Sequence, residues 1–342
     1  MMSASKVQIH NFLNKVIRAD DAALRGLCDR FIHPGCVYEI SHPLGRFEGR
    51  RAILNGFFKP LQTALRQVRR RDEIFISGVN RRAEGGDWIA AVTHYLGSFD
   101  DDFCGIRSSG KLAFLRAGEF YRVENGQITT ARIILDLPDL MRQAGRNPFD
   151  TGLGLETLFP GPATHDGVLP TGAHGAKTLD LVEAMLGDLH VYDPETAGSH
   201  GQTGETGYWA DDMLWYGPCG IGSNYRWDGF VNDHRRPFLA AFPDRKGGNH
   251  YCRIGDADYA AVSGWPSMTM THQGSYLGIP PTGQALTLRV MDFYRCADGK
   301  IAENWVLLDY MDLMHQMGVD LIARSNARSA QEGFRRRNDP IP

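Results

Sequence analysis

The stretch EFYRVENGQITTARIILDLPDLMRQAG, Glu119 to Gly145, returns as DFYRCADGKIAENWVLLDYMDLMHQMG, Asp292 to Gly318, at a constant offset of 173 positions and without a gap. Phe120-Tyr121-Arg122 falls on Phe293-Tyr294-Arg295, Gly126 on Gly299, Asp136 on Asp309, Leu140-Met141 on Leu313-Met314 and Gln143 on Gln316. Self-similarity of this length marks an internal duplication, and it governs how the rest of the chain is read. The same offset carries Gly105-Ile106 onto Gly278-Ile279 and Gly110 onto Gly283. Thr93-His94 meets Thr271-His272 only if the first copy holds a five-residue insertion near Asp100-Asp101-Asp102, and upstream the match thins to Gly45 on Gly222 and Pro60 on Pro237. Between the copies, residues 147–175 are rich in Gly and Pro and lack sustained periodicity, as a linker would. The expected organisation is a domain at 1–146, a linker at 147–175, a second domain at 176–320 and a polar, basic tail at 321–342.

Each copy opens with helical spacing, Phe12, Val16 and Ala19 in the first and Leu181, Met185 and Leu189 in the second, and then turns to alternating strands. Asn125-Gly126 and Asp298-Gly299 supply the positive φ angles of a tight hairpin between strand-like runs. In the last strand of copy two, Ile301, Glu303, Trp305, Leu307 and Asp309 share one face, and Ala302, Asn304, Val306 and Leu308 share the other. Both faces are mainly apolar, so both are expected to be covered, one by helices over a core or pocket and the other by a second sheet. The second copy can provide that sheet, which makes the chain an internal pseudo-dimer packed sheet on sheet; a further homodimer is compatible with this.

Composition narrows the function classes. A chain of 342 residues, 42% hydrophobic and 23% charged with a formal net charge of −3, has the balance of a folded globular protein and no electrostatic footprint for nucleic acid. Arg69-Arg70-Arg71 and Arg335-Arg336-Arg337 are short, isolated basic runs that read as solvated surface. Six scattered cysteines without a C-x-x-C pair read as reduced thiols in a cytoplasm. The N-terminus lacks a signal-peptide pattern and no apolar run reaches about eighteen residues, so no membrane partner is expected. The histidines show no H-E-x-x-H or comparable spacing, which argues against a metal site, and neither a G-x-S-x-G elbow nor a P-loop is present.

Thr271-His272-Gln273-Gly274, Gly278 through Gly283, Asp292-Phe293-Tyr294-Arg295, Asp298 through Trp305 and Asp309 through Gly318, in that order and spacing, resemble the SnoaL-like polyketide cyclase or ester-cyclase family of the nuclear-transport-factor-two-like fold. Phe238 through Asp244 looks like that family's helix-to-strand junction, so the resemblance covers most of residues 178–318. Copy one resembles the family mainly through copy two, and departs from it with Arg107-Ser108-Ser109-Gly110 in place of Pro-Pro-Thr-Gly and Arg132 in place of the Trp. The resemblance implies an α+β fold, two tandem cone-shaped curved-sheet barrels closed by helices, with neither metal nor organic cofactor. It also implies a pocket for a hydrophobic, oxygen-bearing small molecule. It names no reaction, because the fold hosts cyclases, isomerases, hydrolases, dehydratases and binding modules.

Family cyclases close a ring by intramolecular aldol condensation, for which an acid–base pair must sit in an apolar surround that moves its pKa toward neutrality. On that reading Asp309 is the base and His272 the acid or orienting donor in copy two, with Asp136 and His94 corresponding in copy one. A second role is open to each. Asp309 and Asp136 precede helix-like turns and fit as N-caps, with Asp312 and Asp139 three residues on. His272 also fits as a buried histidine satisfied by backbone. Trp305 and Glu303 share the face of Asp309 and suit a pocket wall or a core; one of Trp215 and Tyr216 is expected in the pocket. Glu39 and His42 hold the matching region of copy one, but three residues apart on a strand they face opposite sides. Arg132 and Asp136 share strand parity, which permits an internal ion pair. The expected activity is a cofactor-independent cyclisation, isomerisation or dehydration, and the alternative is a non-catalytic binding or scaffold protein.

Overall fold

The structure is a computed structural model that describes residues 2–156, 159–193, 195–199 and 201–328. Copy one begins with helices α1 (Met2–Val16) and α2 (Asp21–Phe31), the second held at its start by the Asp20 carboxylate, which accepts from the backbone N–H groups of Ala22 and Ala23. Strands β1 (Ile32–Ile40) and β2 (Gly45–Glu48) follow, then a helical stretch of α3 (Arg50–Ile53), a π turn (Leu54–Phe58) and α4 (Lys59–Ala64). Four long strands, β3 (Leu65–Val79), β4 (Asp87–Phe99), β5 (Leu112–Glu124) and β6 (Gln127–Leu135), lead to α5 (Leu137–Gln143). Copy two repeats the plan. Its elements are α6 (Gly175–Leu189), β7 (Trp209–Tyr216), β8 (Ser223–Tyr225), α7 (Arg226–Phe230), a π turn (Val231–Arg235), α8 (Arg236–Ala241), β9 (Cys252–Asp256), β10 (Tyr259–Thr271), β11 (Ala285–Ala297), β12 (Lys300–Leu308) and α9 (Tyr310–Gln316).

The strand orders are the same, β2-β1-β6-β5-β4-β3 and β8-β7-β12-β11-β10-β9, with β1–β6 and β7–β12 parallel and the other pairs antiparallel. The fold is thus α+β in two tandem units, as expected, but the sheets are curved and open rather than closed barrels: the outer strands do not pair with each other. Register shifts between Asp72 and Ile74 in β3 and between Gly264 and Met268 in β10 bend the sheets. Both expected hairpins form, with φ of 50° and 77° at Asn125-Gly126 and 51° and 72° at Asp298-Gly299.

The hydrogen-bond register corrects one correspondence. His272 donates its N–H to Gln284 and accepts from Gly283, as Phe99 does with Lys111 and Gly110. Phe99, at the constant offset of 173, is therefore the counterpart of His272; His94 lies five positions earlier and the first copy holds no insertion there, the irregularity being in copy two between Gly264 and Met268. The Thr-His pairs are a coincidence of two residues, which the register outweighs.

Alternation decides what each face meets. From copy two Met291, Phe293, Trp305 and Leu307, and from copy one Ile74, Ile76, Trp88, Ala90, Val92, Phe120 and Ile134, form one buried apolar layer between the sheets. Phe120 and Phe293 meet across it, their rings tilted at 48° with centroids 5.6 Å apart. A Cβ on Gly78 would come within 2.9 Å of Ile254 Cβ and 3.1 Å of Gly255 O, so the close approach of β3 to β9 favours glycine there. At the sheet edges the Asn80 side chain donates to Tyr251 O at 2.9 Å and accepts from Arg253 N at 3.0 Å, while Asp256 accepts from Ser77 N at 2.8 Å and pairs with Lys6 at 2.7 Å.

Residues 159–169 of the expected linker run along this junction: Phe159 is buried in the layer, Pro160 O accepts from Trp305 Nε1 at 2.7 Å, and Gly167 and Leu169 bond the backbone of Phe75. The segment read as tail begins with α10 (Leu321–Ala327), which bonds copy one through Ser325 to Arg146 O and Asn326 to Gly105 O. Its basic run Arg335 to Arg337 lies outside the described residues. Because Phe293 is wholly buried between the sheets, Phe293→Ala is expected to cost about 3–5 kcal/mol. Urea denaturation would report this as a lower midpoint with an unchanged slope.

Candidate functional site

The opposite face of the copy-two sheet, under α6 and the α7–α8 stretch, encloses a cavity of about 130 Å³. Val290, Asp292 and Tyr294 from β11, and Asn304, Val306 and Leu308 from β12, project into it at alternate positions. Trp215, Phe230, His234 and Phe238 supply an aromatic wall, with His234 stacked on Trp215 at 4.5 Å. The space is close to the roughly 150 Å³ at which an engineered apolar cavity takes up benzene.

Asp292 is the acid of this wall, and burial pushes its carboxyl up from 3.8 to about 7 against a modest lowering by a hydrogen bond from Asn304. A carboxyl poised there both takes and returns a proton near neutrality. His250 and His234 go the other way. Burial drives both down to about 3, with Arg253 assisting at His250 and Arg245 at His234, so both rings are neutral. Arg253 Nε donates to His250 Nδ1 at 3.1 Å, which leaves the His250 Nε2–H as a donor. The sequence reading passed over Asp292; its signal was a lone carboxylate between Val290-Met291 and Phe293-Tyr294, with the parity of Val290 and Tyr294.

The residues singled out in sequence fall elsewhere. Asp309 caps α9, accepting from Asp312 N at 3.1 Å, and pairs with Arg289 at 3.0 Å; burial holds its carboxyl up at about 6 with Arg289 opposing. Asp136 does the same for α5, accepting from Asp139 N at 3.1 Å and from Cys219 N of copy two at 3.0 Å, and it pairs with Arg116 rather than with Arg132. Arg132 instead bridges Glu39 and Glu84 and stacks over Tyr251. His272 Nδ1 is bonded by Thr282, and His94 sits against Glu73 at 3.4 Å; neither lines the cavity. Trp305 and Tyr216 stack together at 5.2 Å in the layer between the sheets, and Glu303 is tied to Arg295, Tyr216 and Ala163 N. Trp215 alone of the named substrate-binding residues reaches the cavity.

Copy one fills the equivalent space. Register places Glu119 where Asp292 stands, Tyr38 at Trp215 and Tyr95 at Met268, while Arg70 faces Tyr95 as Gly247 faces Met268. Arg70 pairs with Glu119 and with Asp72 at 2.7 Å each, Tyr95 and Tyr121 donate to Glu119, and His10 closes on Asp72 at 3.2 Å. Burial pushes the Asp72 carboxyl up, and Arg70 and His10 more than reverse it, leaving about 2. As a set of metal donors, Asp139, Glu156 and Cys219 lie within 4.8 Å of one another. Arg116 and Arg142 already occupy Asp139, and Glu156 accepts from Gly220 N, so the positive charge of a cation is supplied by guanidinium.

The fold is a duplicated open-sheet α+β unit, with an acid-bearing apolar cavity in copy two. The chain belongs to the SnoaL-like polyketide cyclase family, whose model matches residues 24–144 and 207–317. Solved structures similar to it include a candidate SnoaL-like polyketide cyclase from Jannaschia sp. CCS1, 18% identical over 40% of this chain and 90% of that one with a TM-score of 0.34. The candidate hydroxylase AclR from Streptomyces galilaeus is 23% identical over 42% of this chain and 82% of that one, with a TM-score of 0.33. The candidate polyketide cyclase IdmH from Streptomyces antibioticus is 23% identical over 43% of this chain and 100% of that one, with a TM-score of 0.31. No curated protein matches the chain.

Asp292 makes a signed prediction about stability. Its carboxyl is protonated in both folded and unfolded chains below about pH 3.8; between there and about 7 the unfolded chain releases a proton that the folded one keeps, so this group costs stability as pH rises and the cost is complete above 7. Asp292→Asn is therefore expected to stabilise the protein by on the order of 2–4 kcal/mol at pH 8 and by nothing near pH 3.5, read from urea midpoints at the two pH values. Arg70→Met, which strands Glu119 and Asp72 as buried charges, is expected to lose about 3–5 kcal/mol at neutral pH in the same assay.

Proposed function

We propose that copy two is an acid–base site for a small carbonyl compound, working as a cyclase or isomerase without a cofactor, and that copy one serves as its structural partner. The observation that carries this is Asp292: a half-buried carboxyl in the wall of an apolar cavity, with no cation among the groups that shift it, held near neutrality by desolvation. Its carboxylate takes a proton alpha to a carbonyl, and the C–H electron pair becomes the enolate. In cyclisation the enolate carbon bonds a second carbonyl carbon of the same molecule, whose π pair moves to oxygen, and Asp292 returns its proton to that alkoxide. In isomerisation the proton goes back to a different carbon. The apolar walls keep water from the enolate, and the His250 N–H and the Tyr294 hydroxyl are among the cavity's polar donors for oxygen.

In this reading 1–146 and 176–320 are the two units of an internal pseudo-dimer, which the shared apolar layer supports. No helix among the described residues is long and apolar enough to cross a membrane. We place the chain in the cytoplasm, a placement its free cysteine thiols support.

The test is proton exchange. Wild-type protein in deuterated buffer is expected to exchange the alpha protons of small cyclic and acyclic ketones, followed by NMR. Asp292→Asn should lose about 10²–10⁴-fold of that rate. Asp309→Asn, which keeps a capping side chain, should retain it. Exchange that survives Asp292→Asn would sink the assignment; ligand binding without exchange in the wild type would make this a binding protein.

A further inference from the structure

The cavity wall contains more positive charge than its one acid answers. Arg235 and Arg245 both line it. Both guanidinium groups stand over the ring of Tyr192, at 5.3 Å and 5.6 Å. Arg235 is 5% exposed and donates only to backbone carbonyls, to Ala197 O at 2.6 Å and Leu189 O at 3.0 Å. Arg245 Nε is buried without a protein partner, and so are two other polar atoms of the lining, His234 Nδ1 and Ser267 Oγ. Among the described residues neither arginine has a carboxylate within 4.0 Å, whereas the buried Arg70 and Arg116 each have two. Two like charges lining one low-dielectric wall repel each other, as the lowering of Arg235 by Arg245 shows, and lose hydration; a buried charge persists when something of opposite sign answers it.

We propose that the copy-two cavity selects substrates that carry a carboxylate, with Arg245 as the group that grips it and Arg235 reinforcing the field from behind. This rests on the reading of the cavity as the substrate site. A guanidinium presents a planar fork of donors that matches a carboxylate two bonds at a time, and its strength grows where water is excluded. The neutral His234 and Ser267 beside it offer further hydrogen bonds to the same group. The environment agrees: burial lowers the Arg245 guanidinium, and burial together with the charge of Arg245 brings Arg235 down to about 10, more than the opposing charge of Asp188 restores. The cavity of about 130 Å³ limits the ligand to a single ring or a short chain. The substrate class is accordingly a small oxo acid: the carboxylate fixes the molecule at Arg245, and a carbonyl with an acidic alpha C–H is presented to Asp292. A carboxylate suits the site better than a phosphate, since Asp292 shares the small space and a second negative charge would meet it.

Isothermal titration with matched acid and amide pairs, benzoate against benzamide and butyrate against butyramide, tests this on the full chain. The acids are expected to bind at least about tenfold tighter than the amides. Arg245→Met should erase that preference while leaving amide affinity and the circular dichroism spectrum unchanged, and Arg245→Lys should restore part of it. Asp292→Asn should keep or strengthen the preference even as proton exchange is lost, so failure of the acid–base assignment and failure of the carboxylate site give different results. Equal affinity for acids and amides, no saturable binding of any probe, a preference that survives Arg245→Met, or inorganic phosphate binding more tightly than benzoate would each overturn the proposal.

Discussion

Each long central strand of this protein is buried on both faces, and the alternation of side chains along β11 and β12 sets everything else. Met291, Phe293, Trp305 and Leu307 meet the other sheet, while Val290, Asp292, Tyr294, Asn304 and Val306 meet the cavity. A strand with one wet face could tolerate polar residues there cheaply. Here any polar group on the inner face is enclosed, so it must be bonded, neutral or matched by a ligand. The pairing of sheets therefore does more than add stability: it frees each sheet to commit its inner face to a cavity.

The two copies resolve that inner face in opposite ways. Copy one places Arg70 against Glu119 and Asp72 and surrounds them with tyrosine hydroxyls, so that each charge is paired within the protein. In copy two the matching strand is shorter, β9 spanning Cys252–Asp256 against Leu65–Val79 for β3, and the irregular segment before it brings Gly247 to the place of Arg70. Removing that arginine and shortening Glu to Asp opens the space and deprives the carboxyl of its counter-charge. One substitution pattern thus separates a self-satisfied core from an acid held near neutrality.

The fold was legible because duplication and period-two alternation are properties of the chain itself: the repeat of Glu119–Gly145 at Asp292–Gly318 fixed the two hairpins and the helix that follows each. The site was less so. Asp309 and Asp136 stood out because a carboxylate beside a repeated motif attracts notice, yet an acid ahead of a helix has its own N–H groups to satisfy, and both do that. Parity did separate Trp305 from Asn304, but it could not say which face was the cavity. That depends on where the helices lie and on the second sheet, both of which are tertiary facts. Arg235 and Arg245 carried no sequence signal, since nothing local to residues 230–250 reveals that no carboxylate comes near them.

The cavity therefore holds an unusual electrostatic balance. An acid raised toward neutrality is commonly explained by burial alone, and Asp292 fits that account. Yet arginines line the same cavity, and cations close to Asp292 would draw its pKa down; none of them is among the groups that shift it. Asp292 and the arginines thus line one small space without forming an ion pair, with neutral His234 and His250 among the lining groups. A molecule with an anionic group and a proton-bearing carbon suits that separation, because it can neutralise the arginines without discharging the base. Direct pairing of Arg245 with Asp292 would have satisfied both groups and abolished both functions, and copy one, where Arg70 meets Glu119, is the form such a pairing takes.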